Sequence, residues 1–325
     1  MRRDLRLDYV RVIGILLVIM AHTSLNNYVS NIRPFDVAML VCVAGASYSF
    51  SIPITSFKEY LNYLKKRFIR LVIPVWLFLT FYFALTFLLS GEMIYSFSTM
   101  ASTYLLLNGI GYVWIFRIML MMALINPLLR IISDKINGSF SKALMLELAL
   151  IFFNELLAII CIYVFGDSIL FKIIKMIVCY FIGYGILSIM GMIFIKLKTN
   201  DLVKLIVING VIVLLSTYIY GVFSPSDFKY PPMAQFICYG LFACILFYLL
   251  FSWKTSSNVT INKAIVWLSK YSLNVYLAHI LVIFLLGYFN LEFTPIIHYL
   301  VIIGVSISIT YAYYFAKERL LHGKC

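Results

Sequence analysis

The chain has 325 residues, of which 63% are hydrophobic and 12% charged, with a mean hydropathy of +1.00. A soluble domain carries nearer a quarter of its residues charged, so this composition excludes an ordinary globular protein and points to a polytopic membrane protein. The formal net charge of +13 would suggest nucleic acid in a soluble chain, but here its placement along the chain decides what it means.

Apolar runs of about 20 residues, enough to cross a hydrocarbon layer of about 30 Å, predict ten helices near residues 8–25, 36–56, 70–90, 112–130, 143–165, 172–195, 203–223, 233–252, 271–289 and 296–316. The interval 91–111 is left outside this count, as an interfacial helix or part of a span. Ten spans put both termini on one side. The six loops and tails of that side hold twenty of the twenty-six lysines and arginines, which makes it the cytoplasmic side by the positive-inside rule. Those basic loops facing anionic lipid account for the net charge, so no nucleic-acid partner is expected. The N-terminal MRRDLR before an apolar run resembles a signal peptide, but no small-residue cleavage site follows, so an uncleaved first span is expected. The expected architecture is all-α, one membrane-embedded domain over residues 1–325.

The first run, LDYVRVIGILLVIMAH at residues 7–22, places Asp8, Arg11 and His22 in an otherwise apolar segment. As helix, the eleven steps from Arg11 to His22 leave a remainder of about 20° and cover about 16 Å, so the two share a face, with Asp8 within about 40° of the same stripe. His22, about 21 Å along the helix from Asp8, falls in the outer half of the membrane. An imidazole there suits general-base work on a hydroxyl arriving from outside; the competing reading is an interfacial polar residue. Arg11 lies just inside the cytoplasmic boundary, where snorkelling and phosphate recognition compete.

The third run opens with LKKRFIRLVIPVW, in which Arg67 and Arg70 share a face at i, i+3 and Pro74 follows one turn later. Two guanidinium clusters at one entrance suit a pyrophosphate or another phosphorylated carrier, with topology-setting charge as the rival. Arg117 and Glu155 each lie about 20 Å from the cytoplasmic side. They are expected to meet as a buried ion pair on adjacent spans or to line the pocket near His22. In the ninth run, KYSLNVYLAHI, Ser272, Tyr276 and His279 at i, i+4, i+7 form one polar stripe, either bonding helix to helix or lining the same cavity. His298 and His322 receive no role. The six cysteines show no CxxC pair and no metal-ligand spacing, so they read as small core residues and no metal is expected. No P-loop, GxSxG or dinucleotide fingerprint is present.

These stretches, in this order, resemble the acyltransferase-3 family of membrane O-acyltransferases. LDYVRVIGILLVIMAH resembles its first-helix signature, KKRFIRLVIPVW its basic R-x-x-R-x-x-P entry to the third helix, GYVWIFRIMLMMALINPLL its fourth helix, and YSLNVYLAH its late S-x-x-x-Y-L-x-H element. The resemblance implies transfer of an acyl group, usually acetyl from cytoplasmic acetyl-CoA, to a hydroxyl of a cell-surface or secreted glycan or lipid-linked glycan, in the plasma membrane of a bacterium. It implies His22 as the essential histidine and Arg11, Arg67 and Arg70 as the basic positions near the donor entrance. Where members often carry Ser-Gly in the second helix, this chain has Ala44-Gly45, so any contribution from that hydroxyl is absent. No esterase-like extension is seen, so acceptor selection is expected to rest on the membrane domain or on glycan-assembly partners. In the expected mechanism the arginines hold the coenzyme phosphates, Asp8 steadies Arg11, and His22 deprotonates the acceptor hydroxyl, or the sugar attacks an acyl-enzyme. A transporter or flippase for a polysaccharide or lipid-linked sugar, with the intramembrane charges lining its path, is the alternative, and a structural subunit of a glycan-assembly complex is a third.

Overall fold

A computed structural model describes residues 3–23, 31–107, 109–160, 179–253 and 258–322. Its named helices are α1 (Leu5–Met20), α2 (Asp36–Tyr48), α3 (Phe57–Ser90), α4 (Phe97–Tyr104), α5 (Trp114–Ile136), α6 (Phe140–Ile160), α7 (Tyr180–Phe194), α8 (Thr199–Tyr220), α9 (Ala234–Trp253), α10 (Val259–Lys270), α11 (Ser272–Tyr288) and α12 (Pro295–His322). The described residues form no β-strand, and the expected all-α class is what the chain adopts.

Among the described residues six helices, α3, α5, α6, α8, α9 and α12, are long and apolar enough to cross a membrane, or up to seven if the bent pair α10 and α11 is one span, fewer than the ten expected along the whole chain. As described, α1, α2 and α7 hold 16, 13 and 15 residues, about 24, 20 and 22 Å at 1.5 Å per residue against a layer about 30 Å thick, and α7 follows directly on residues outside the description. All three are apolar, but they are buried among other helices instead of facing lipid. The expected segments 143–165 and 172–195 lie partly outside the described residues. In the interval 91–111 the eight-residue α4 forms, far too short for a span.

The short helices make the centre. α2 packs most closely on α7, and also against α1, α9 and α5. The approach is tight because the facing positions are small: a Cβ on Gly45 would lie 2.1 Å from the Ser188 carbonyl oxygen, and one on Gly191 would lie 2.0 Å from that of Cys42. Between apolar helices, where lipid and leucine are equally oily, close backbone packing of this kind is a main source of association. The described cysteines Cys42, Cys179, Cys238 and Cys244 are buried, as small core residues should be.

The long helices stand outside. α3 has 34 residues and runs about 51 Å, more than the hydrocarbon layer requires. The surplus is its N-terminal part, which carries Lys58, Lys65, Lys66, Arg67 and Arg70, so the helix begins thirteen residues before the expected span at residue 70. Ser56 caps it by accepting from the Glu59 amide at 3.2 Å, while the Glu59 carboxylate accepts from the Thr55 amide at 2.8 Å, a variant of the capping box. Gly91 ends it in the left-handed region at φ 73°. In α12 only 17% of the apolar window is buried, so most of it is surface suited to lipid.

Polar side chains tie the outer helices to the centre. On α6, fully buried Glu147 accepts from Asn209 of α8 at 2.8 Å. Glu155 accepts from the Tyr220 hydroxyl at 2.5 Å and from the Ala234 amide at 2.8 Å. It thereby satisfies an N–H at the start of α9, where a carboxylate is favoured. Among the described residues no ion pair joins Glu155 to Arg117. The expected pairing is therefore not made: Glu155 is a helix-end anchor, and the Arg117 guanidinium lies 5.8 Å from the centre of the Tyr180 ring.

Candidate active site

A cavity of about 1230 Å³ is bounded by α1, α2, α3, α5, α10, α11 and α12. It takes Arg11 and Ile15 from α1, Ala44 and Ser47 from α2, and Arg67, Arg70 and Pro74 from α3. From the other side come Asn126 of α5, Lys270 of α10, Ser272 and Tyr276 of α11, and Lys317 of α12. Five of its lining residues are Lys or Arg and none is Asp or Glu. Such a wall favours a polyanionic ligand, because basic side chains without competing carboxylates keep their donors for the guest.

Arg11 is fixed before any ligand arrives. Its guanidinium donates to the Ser47 hydroxyl at 2.7 Å and to the Ser269 hydroxyl at 3.1 Å, which uses two of five N–H donors. Ser269 in turn donates to Asp8 at 2.5 Å. Asp8 stands 4.0 Å from Arg11 and is held chiefly by Arg3, at 2.6 and 2.9 Å. The carboxylate thus steadies Arg11 mainly through the serine instead of by the direct i, i+3 contact expected. At the start of α1, burial disfavours charge on Asp4, yet hydrogen bonds from Arg6 and Tyr248 prevail and hold its carboxyl below the usual range. Arg67 lies over the Tyr63 ring at 5.2 Å, and that tyrosine also lines the cavity.

The break between α10 and α11 supplies one side of the mouth. The two helices meet at 73° around Tyr271, so Ser269, Lys270, Tyr271 and Ser272 all face the cavity at one corner. Tyr271 and Tyr314 pack as a tilted pair with ring centres 3.9 Å apart, with Lys270 over the first at 4.8 Å and Lys317 over the second at 5.9 Å.

His22 is not part of this lining. α1 ends at Met20, and His22 sits in the turn beyond it, its amide donating to the Ile19 carbonyl at 3.0 Å. The single helical stripe expected from Asp8 to His22 therefore stops two residues short. The ring instead packs 4.8 Å from Tyr112 and 5.3 Å from His279, centre to centre. Tyr276 is the partition between the two places. It lines the cavity, its ring lies 4.7 Å from that of His279, and its hydroxyl donates to the Tyr112 carbonyl at 2.6 Å. The fully buried His279 bonds through Nδ1 to the Tyr276 carbonyl.

Of the residues singled out from sequence, Arg11, Arg67, Arg70, Ser272 and Tyr276 share the cavity, Asp8 backs it, and His22 and His279 form a pair behind Tyr276. Arg117 and Glu155 line neither place. Sequence reading passed over Ser47, Ser269 and Tyr112, which carry no charge to draw notice. It assigned Arg3, Lys270 and Lys317 to topology alone. The only signal for Ser269 was its position at the end of VTINKAIVWLSK, a stretch read as loop that is the amphipathic α10.

A family model described as Acyltransferase domain matches residues 4–315. No curated protein and no solved structure matches the chain. The match takes in the histidine pair and every residue of the cationic cavity except Lys317, and a bundle of this apolar character places the activity in a membrane: the chain belongs to the acyltransferase-3 family and is a membrane acyltransferase.

Proposed function

We propose that the protein moves an acyl group, acetyl in the first instance, from cytoplasmic acyl-CoA to a hydroxyl of a cell-surface or secreted glycan. The observation that carries this reading is the cavity whose lining holds five cations and no acid and includes Tyr276, the side chain that packs on His279 of the histidine pair. Coenzyme A is a polyanion at one end and a thin uncharged arm at the other. Arg11, Arg67 and Arg70, with Lys270 and Lys317, suit its phosphates, and the apolar wall of Ile15, Phe116 and Leu277 suits the arm. In this reading the cationic mouth and both termini face the cytoplasm and the protein sits in a bacterial plasma membrane; the clustering of lysines and arginines in the loops read as cytoplasmic supports that orientation.

In the transfer step His22 takes the proton of the acceptor hydroxyl as its oxygen bonds to the thioester carbonyl carbon. The carbon–sulfur bond breaks, and the proton passes from His22 to the sulfur, releasing CoA with its thiol restored and leaving His22 neutral. Tyr276 separates donor cavity from histidines, so the thioester has to pass it to react. No metal enters this scheme.

The test uses purified protein in liposomes, labelled acetyl-CoA and a panel of bacterial glycans. Label transfer by the wild type that is lost in His22→Ala supports the reading. Glycan translocation that persists in His22→Ala, with no acetyl transfer by either protein, overturns it in favour of a transporter.

A further inference from the structure

His279 is the fully buried histidine of the site, and its two nitrogens are in unlike situations. Nδ1 faces the Tyr276 carbonyl, and since a carbonyl only accepts, Nδ1 carries the hydrogen. The neutral ring then has its lone pair on Nε2, and Nε2 is buried without a hydrogen-bond partner among the described residues. A protonated ring would set two donors where one acceptor is offered, which is worse. The site therefore holds a fixed, desolvated acceptor that lacks a donor. The ring with donors to give, 5.3 Å away centre to centre, is His22.

We infer that His279 is a positioning residue for His22: with a turn of the His22 ring, the His279 Nε2 that is left open here accepts a ring N–H of His22, so that the other His22 nitrogen presents its lone pair to the acceptor hydroxyl. This rests on the reading of His22 as the base. When His22 gains the hydroxyl proton it becomes an imidazolium with two N–H groups. One returns its proton to the departing sulfur, and the other remains on His279, where a charge-assisted bond is stronger than the neutral one it replaces. His279 neither gains nor loses a proton in the cycle. Tyr112 supports both partners. Its ring lies 4.8 Å from His22 and 6.0 Å from His279, and its carbonyl takes the Tyr276 hydroxyl. The chain of support thus runs from the Tyr276 carbonyl through His279 to His22, the logic by which a third group orients a catalytic base elsewhere.

The experiment compares wild type, His279→Phe, His279→Gln, His22→Ala and the double variant His22→Ala/His279→Phe in acetyl transfer. Nitrogen NMR of isotopically labelled histidine in detergent accompanies it. His279→Phe is expected to lower kcat about 100-fold while leaving KM for acetyl-CoA within about twofold, and His279→Gln, which keeps an acceptor, to regain at least about tenfold of that loss. The double variant is expected to be no slower than His22→Ala, since the two act as one unit. In the spectra, the His22 ring nitrogens shift in His279→Phe. Wild-type kcat in His279→Phe, equal loss in the Phe and Gln variants, or His22 resonances unmoved by His279→Phe would each overturn the inference. A wild type that transfers no acetyl overturns the underlying reading instead, and the spectra then decide the His22–His279 bond by themselves.

Discussion

α1 and the turn that follows it meet opposite demands. At the Arg11 end, charge is answered by charge and hydroxyl: Arg3, Asp8, Ser269, Arg11 and Ser47 form one continuous set of hydrogen bonds. At the His22 end there are rings, one carbonyl and an acceptor nitrogen left open. A site that holds a polyanion gains from donors fixed in advance, whereas a base must keep a lone pair uncommitted until substrate arrives. In the proposed function, α1 holds the donor and the turn beyond it reacts.

The largest expected effect breaks the reacting end alone. His22→Ala should reduce acetyl transfer by about 1,000-fold or more, about 4 kcal/mol of transition-state stabilisation, while acyl-CoA affinity from equilibrium binding stays within about twofold. Gly191→Val should fail differently. Its new Cβ meets the Cys42 carbonyl, and forcing α2 from α7 should cost about 3 kcal/mol of stability, lowering both affinity and rate together with the melting temperature in detergent. Arg67→Ala and Arg70→Ala should break the holding end, raising KM for acyl-CoA about tenfold each, or about 1.4 kcal/mol, with kcat nearly unchanged. Equal CoA affinity in Arg70→Ala and wild type would sink the donor-site assignment. Ser269→Ala removes the hydroxyl between Asp8 and Arg11 and should weaken donor binding by about 1 kcal/mol, some fivefold in KM. Smallest of all, Ala44→Ser restores a hydroxyl on the cavity wall and should change kcat by less than about twofold. A large gain there would show that the missing hydroxyl matters.

How much of this could be read from the chain depends on what each residue reveals by itself. Arg11, Arg67 and Arg70 stood out because a guanidinium in an apolar run is costly, and they do meet in one cavity. Helical class was legible from hydropathy, but hydropathy does not by itself separate a span from a buried helix, because the same apolar pattern serves a helix facing lipid and a short one enclosed by its neighbours. α2 and α7 are of the second kind. Period alone placed His22 on a helix face, yet α1 unwinds at Met20, and no spacing rule foretells a terminus lacking a glycine or proline. Ser47 and Ser269 were silent because a hydroxyl in a membrane helix usually bonds its own backbone. Only tertiary placement turned these two toward Arg11. Glu155 looked like a partner for Arg117 by depth, but depth says nothing of azimuth, and the carboxylate turned to α9 instead.

The 73° corner at Tyr271 has a mechanical consequence. Beyond it α11 runs straight from Ser272 at the cavity to His279 beside His22, seven residues or about 10 Å of rigid rod. A rod anchored at a corner acts as a lever. Whatever settles against Lys270, Tyr271 and Ser272 bears on its short arm, and the ring of His279 rides on the far end. In the proposed function, the ligand that fills the mouth and the histidine that aims the base therefore act on one helix.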